Sequence, residues 1–85
     1  MHLKLKVIEG PRKNDVFTIK DEIVIGRNQG ELNLRDPKAS SRHARINFNR
    51  DGTPEVFDLD SSNGTYVNGK KVTKSPITVG DKIKI

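Results

Sequence analysis

Ser40-Ser41-Arg42-His43-Ala44-Arg45-Ile46-Asn47-Phe48 is the stretch that decides how this chain folds. From Ala44 to Phe48 apolar and polar residues alternate, the period of two expected of a strand with one buried face. Leu3-Lys4-Leu5-Lys6-Val7 repeats the pattern, and further short β-branched or aromatic runs lie at Val16 to Ile19, Ile23 to Ile25, Glu55 to Leu59, Thr65 to Val67 and Lys82 to Ile85. No segment carries a sustained helical stripe. Between the runs sit turn signals: Gly10-Pro11, Asn28 to Gly30, Asp36-Pro37, Asp51-Gly52, Asn63-Gly64, Asn68-Gly69 and Gly80-Asp81. Asp51-Gly52 and Asn68-Gly69 read as tight hairpin turns with both central residues at positive φ, which Asn, Asp and Gly tolerate best. Many short strands separated by regular turns imply an all-β sandwich, whose connecting loops gather at its two ends.

A chain of 85 residues supports one small core, so residues 1–85 are read as a single domain whose function must fit on one face. Only 32% of the residues are apolar and the longest apolar runs are a few residues, which excludes a membrane span and a secretory signal peptide. With no cysteine there is no disulfide framework and no thiolate metal site, as suits an intracellular protein, cytoplasmic or nuclear. The two histidines lie far apart and make a poor metal site. A net charge of +5 favours acidic partners without choosing among phosphoproteins, nucleic acids and anionic surfaces. Position is more informative than the total. Lysines cluster near the ends, whereas arginines concentrate between Arg27 and Arg50, and arginine is the better planar clamp for phosphate.

The candidate binding residues fall in three separated pieces. Arg27 follows Gly26 at the end of Ile23-Val24-Ile25 and would leave a strand into a loop, its side chain anchored by a rigid element. Ser40, Ser41 and Arg42 precede a strand, and Ser61-Ser62-Asn63-Gly64-Thr65 surrounds a turn with hydroxyls. Together they supply guanidinium, hydroxyl and amide donors, a set able to hold a phosphate without reacting with it. Ser62 is read as facing the phosphate and Asn63 as donating its amide to the backbone of a bound peptide. Each serine could instead bond only its own loop. A Ser40–His43 catalytic pair is disfavoured: at the mouth of a strand their side chains diverge, and no Gly-x-Ser-x-Gly elbow accompanies them. His43 is better placed to bridge loops through its ring nitrogens. Nucleotide-cradling glycine loops are absent. The three phenylalanines, Phe17, Phe48 and Phe57, sit in strand patterns that suggest core, so a base-stacking surface for nucleic acid is disfavoured.

Taken in order, Gly26-Arg27, Ser40-x-x-His43, Ser62-Asn63-Gly64, Val67-Asn68-Gly69 and the late Gly80-Asp81-Lys82-Ile83 resemble the motifs of the forkhead-associated (FHA) domain, from Leu3 to the last residue. The resemblance implies an FHA-like β-sandwich of two antiparallel sheets and eleven strands. Its apical loops would bind phosphothreonine-containing peptides, with no catalysis, no cofactor and no metal. Under it Arg27 pairs with the phosphate, Ser40 hydrogen-bonds it, Ser41 makes a further phosphate or peptide contact and Arg42 adds a second charge. Ser62 lies beside the phosphate and Asn63 orients the peptide. Lys38 is the candidate selector of an acidic residue three positions after the phosphothreonine. Gly26, His43, Gly64 and Asn68 support the shape of the site without touching ligand.

Two departures accompany the resemblance. Ser41 stands where many members carry arginine or asparagine. The family strand that follows the Gly-Asp-x-Ile segment is missing, which is expected to leave Leu3 to Ile8 as an open edge able to pair with another chain. The chain is accordingly expected to be a piece of a larger protein. The other readings of the residues are a phosphate-independent docking or oligomerisation domain and a basic β domain binding nucleic acid. Neither requires a membrane.

Overall fold

In the computed structural model, which describes residues 3–8, 12–28 and 30–85, every regular element is a strand. The ten strands are β1 (Leu3–Lys6), β2 (Val16–Ile19), β3 (Glu22–Gly26), β4 (Leu32–Asn33), β5 (Ala44–Phe48), β6 (Pro54–Asp58), β7 (Thr65–Val67), β8 (Lys70–Val72), β9 (Lys74–Pro76) and β10 (Ile83–Lys84). The alternation in β5 does what its period requires. Ala44 and Ile46 are wholly buried while Arg45 and Asn47 point to the opposite face. Antiparallel pairing sets Ile46 opposite Ile23 of β3 and Val56 of β6, making a continuous apolar rung across three strands. The next rung is Ile25, Ala44 and Asp58, so a carboxylate stands on the core-facing side at one end of the sheet.

These strands belong to a five-stranded sheet in the order β4-β3-β5-β6-β9. Its inner face is covered by a two-stranded sheet, β1-β2, and a three-stranded sheet, β10-β7-β8. Ile19 of β2 and Val67 of β7 join Ile23, Ile25, Leu32, Ala44, Ile46, Val56 and Ile77 in one buried cluster, with Leu3, Leu5, Phe17, Phe48, Val72, Ile83 and Ile85 packed against it. Burying an Ile, Leu or Val side chain contributes about 1.5–3 kcal/mol, so this shared cluster is what binds the three ladders into one sandwich.

The all-β sandwich agrees with the sequence reading, and its details differ in four respects. The strands form three hydrogen-bonded sheets, not two, and β3 pairs with β4 in parallel, with Ile25 opposite Leu32 and Gly26 opposite Asn33. The strands β4, β8 and β9 were not expected: they are two or three residues long and lack an alternating apolar pattern. Phe57 is not core. It lies on the outer face of the large sheet, its ring flanked by the Arg45 guanidinium at 4.9 Å and the Lys74 ammonium at 5.5 Å, because the inward position of β6 belongs to Val56.

The fourth difference concerns a turn. Asn68 and Gly69 do take positive φ (52° and 85°) and close the β7–β8 hairpin in two residues, whereas between β5 and β6 only Gly52 does (84°). There the connection is longer, from Asn49 to Thr53. The Asn49 side-chain carbonyl accepts the amides of Asp51 and Thr53, and Asp51 does not take positive φ.

The Gly10-Pro11 turn lies outside the described residues, as does Gln29 within the Asn28–Gly30 turn. β1 pairs with β2 along one side only, and its other edge has no partner among the described strands. Among the described residues no helix is long and apolar enough to cross a membrane.

Candidate functional site

Strand direction gathers the three motif pieces. β3 and β6 run toward one end of the sandwich, β5 and β7 begin there, and so residues 27–43 and 59–64 connect strands at that same apical end. The first loop starts as an extension of the parallel β3–β4 pair: Leu34 donates its amide to the Gly26 carbonyl at 2.8 Å and Arg35 to that of Arg27 at 2.8 Å. Arg27 in turn donates its amide to the Ser40 carbonyl at 2.9 Å, which folds the 36–42 segment back over the end of β3. Gly26 is buried beneath this crossing.

His43 holds the two loops together. It is fully buried, and its backbone pairs with Ile25 on one side and Leu59 on the other. The Ser40 amide donates to Nδ1 at 3.0 Å, so that nitrogen must be an acceptor, and Nε2, 2.8 Å from the Gly64 carbonyl, must carry the proton. One ring therefore ties the serine loop to the Asn63–Gly64 turn. The same two loops meet again where the Ser62 amide donates to Ser40 Oγ at 3.0 Å and where Asn63 Nδ2 donates to the Lys38 carbonyl at 2.8 Å.

The 59–64 loop has its own internal frame, which the sequence reading missed. Ser61 Oγ and Thr65 Oγ1 both donate to Asp58 Oδ1, the Ser61 amide donates to Asp58 Oδ2, and Ser61 Oγ accepts the Gly64 amide. Burial works to raise the Asp58 carboxyl, but the hydrogen bonds from Ser61 and Thr65 outweigh it and the pKa falls below the ordinary aspartate value. The Asp58-x-x-Ser61 spacing, common where a side chain organises a turn, was the available signal. Gly64 completes the turn at φ +87°, and the Lys71 side chain packs against it so closely that an added Cβ would lie 2.8 Å from Lys71 Cε.

The surface facing solvent is a donor array. Arg27 is exposed and its Nη2 donates to Ser41 Oγ at 3.1 Å. Ser40 and Ser41 each accept one bond on Oγ and keep a hydroxyl hydrogen to give, and Asn63 keeps its second amide hydrogen and its carbonyl oxygen. Arg42 and Lys38 are exposed beside them, and Ser62 is exposed at the loop tip. Arg27, Lys38, Ser40, Ser41, Arg42, Ser62 and Asn63 thus lie on one apical surface, supported by Gly26, His43 and Gly64.

Asn68 does not join them. It sits at the far end of β7, where its side chain bonds Asp81 Oδ1 at 3.0 Å and accepts the Lys82 amide at 3.0 Å, so it supports the opposite loops.

Comparison with known proteins gives the family. The family model described as "FHA domain" matches residues 23–85. The chain is 37% identical over 83 residues to the oxoglutarate dehydrogenase inhibitor of Corynebacterium jeikeium, covering 95% of this chain and 57% of that protein. It is 37% identical over 84 residues to the FHA domain-containing protein FhaB of Mycobacterium tuberculosis, covering 95% of this chain and 54% of that protein. It therefore spans about half the length of the curated relatives it matches. Among solved structures it is similar to an FHA domain from a study of phosphothreonine-dependent FHA domain interactions, with a TM-score of 0.86 and 27% identity, covering 99% of this chain and 86% of that one. The family model matches most of the sequence, and the chain belongs to the FHA domain family.

Proposed function

We propose that residues 1–85 are a non-catalytic recognition domain that binds phosphothreonine-containing segments of partner proteins on the apical loops, inside the cell. Arg27 and the Ser40 hydroxyl take the phosphate, with Ser41 and Arg42 contributing a further donor and charge. Ser62 lines the phosphate, Asn63 grips the peptide backbone, and Lys38 reads an acidic residue further along. The observation that carries this reading is the convergence of Arg27, Ser40, Ser41, Ser62 and Asn63 through direct hydrogen bonds across two loops, with donors left over. A charge-assisted hydrogen bond contributes about 1.5–3 kcal/mol, so about three phosphate contacts and a few backbone bonds reach the micromolar range of a reversible contact.

The test is a titration of parent and Arg27→Ala protein with a phosphothreonine peptide library and its unphosphorylated counterpart. The parent is expected to bind only the phosphorylated set, and Arg27→Ala to lose roughly 2 kcal/mol, about thirtyfold, while its thermal midpoint stays put. Equal binding of both sets by the parent overturns the proposal in favour of a phosphate-independent docking surface.

A further inference from the structure

The outer face of the smaller layer is a lysine surface that the apical site leaves unused. In β1, Leu3 and Leu5 pack on the core, so Lys4 and Lys6 point outward and are exposed. In the β10-β7-β8 sheet Val67, Val72 and Ile83 face the core, which turns Lys84, Tyr66 and Lys71 outward as one rung across three strands. Lys82, two residues before Lys84, is exposed as well. Five lysines thus share one side of the sandwich.

Charge is segregated between the layers. The strands β1, β2, β7, β8 and β10 carry no carboxylate, whereas the acidic residues borne on strands, Glu22, Glu55 and Asp58, all belong to the large sheet. Of the acidic residues that flank the smaller layer, Asp15 pairs with Arg12 at 2.8 Å, and Asp81 accepts the Asn68 side-chain amide and the Thr78 backbone amide. Asp21 stands in the turn that leads into β3, and Glu9 lies outside the described residues. None of the ion pairs among the described residues includes any of the five lysines. Their number equals the net charge of +5, since the other eleven Lys and Arg residues match the eleven Asp and Glu residues.

Apolar side chains accompany the lysines. Val16 stands directly opposite Lys6 in the β1–β2 ladder and is 58% exposed, and Ile8, two residues beyond Lys6, is 52% exposed. Nucleic acid fits this face less well. Tyr66 is half-buried with the Lys84 ammonium 5.9 Å from its ring centre, so it offers no open platform for a base, and a broad sheet face does not enter a groove. An acidic protein surface is better gripped by the arginine fork, and the five cations are all lysine, a hydrated point charge suited to a diffuse negative field.

We propose that this face docks the domain on an anionic phospholipid bilayer. The lysines sit in the field of the headgroups, and Val16 and Ile8 enter the boundary between headgroups and acyl chains. The apical loops lie at the end of the sandwich, so a bound peptide and the bilayer use different residues.

The experiment measures co-sedimentation of the full chain, at low salt, with phosphatidylcholine vesicles that contain no anionic lipid or about one third phosphatidylglycerol. The variants are Lys4→Gln with Lys6→Gln, Lys82→Gln with Lys84→Gln, and Val16→Thr. Arg50→Gln with Lys74→Gln is the control, an equal change of charge away from this face. Lys71 is kept because it packs against Gly64. A thermal scan confirms that each variant folds. The parent is expected to bind the anionic vesicles only and to be released as salt rises. Each lysine near an anionic surface is worth about fivefold in partitioning, so either lysine pair should weaken binding by roughly 25-fold. Val16→Thr should weaken it by about threefold, and the control pair by less than about threefold. Absence of binding to the anionic vesicles, or a loss in the control pair equal to that in the lysine pairs, overturns the proposal. Displacement of the parent from the vesicles by single-stranded DNA at equal phosphate concentration overturns it in favour of nucleic acid.

Discussion

Replacing His43 with alanine tests whether the apical loops are held by one imidazole. The ring is completely buried, accepts the Ser40 amide on Nδ1 and donates Nε2–H to the Gly64 carbonyl. Its removal strands a buried donor and a buried acceptor, each costing about 1–3 kcal/mol, and leaves a ring-sized void as well. A loss of about 3–5 kcal/mol is therefore expected, against a total stability of about 5–15 kcal/mol for a domain of ordinary size. At about 4–8 °C per kcal/mol for a small domain, the thermal midpoint should fall by roughly 15–30 °C. Urea titration followed by far-ultraviolet circular dichroism measures the loss directly, and His43→Phe separates its causes. Phenylalanine refills the void but makes neither hydrogen bond, so it should recover only part of the stability. A cooperative unfolding transition in His43→Ala displaced by less than about 1 kcal/mol would refute the reasoning, because groups so deeply buried cannot lose both partners at so small a cost.

Three further substitutions probe the frame around the site. The Asp58 carboxyl has its pKa depressed in the folded state, so its contribution is fully present above the unfolded value near 3.8 and is lost as pH falls through the lower folded value. The stability gap between parent and Asp58→Asn, from urea midpoints over an acid pH series, should close across that window; a pH-independent gap contradicts the assigned role. Asn68→Ala forfeits the bonds to Asp81 and Lys82 and places alanine at φ 52°, for a loss of about 2–3 kcal/mol in chemical denaturation. Phosphopeptide affinity should stay within about twofold, since Asn68 lies at the far end of β7 and shares no partner with the apical loops. Gly30→Ala would put a Cβ 2.4 Å from the Val24 carbonyl oxygen at φ +94°. A loss of about 2 kcal/mol or more in a thermal or urea melt is expected, and a neutral substitution would show that Gly30 does not lie against Val24.

Sequence alone determined what depends on local order. Alternation in Ala44 to Phe48 and Leu3 to Val7 specifies half-buried strands, because side chains on a strand point to opposite faces in turn. Asn68-Gly69 specifies its two-residue turn, because few other residues accept positive φ twice in succession. Gly26-Arg27, Ser40 to His43 and Ser62-Asn63-Gly64 marked the candidate site by residue type and order. The hairpin at Asp51-Gly52 was legible as a turn but not in its geometry, which the side chain of Asn49 sets from outside the pair.

What tertiary structure decided is everything that depends on contact between distant residues. β4, β8 and β9 are too short to carry a pattern and become strands through the neighbours that pair with them. Phe57 faces outward because Val56 occupies the inward position of β6, and Asn68 supports the opposite end of the sandwich because β7 runs away from the apical loops. Asp58 stands beneath the 59–64 loop because the pairing of β6 with β5 places it opposite Ala44, and Arg35 stands beside Arg27 because β4 pairs with β3 in parallel. Alternation states that a residue has an inside and an outside, whereas only the closed arrangement of strands states which other residues share that side.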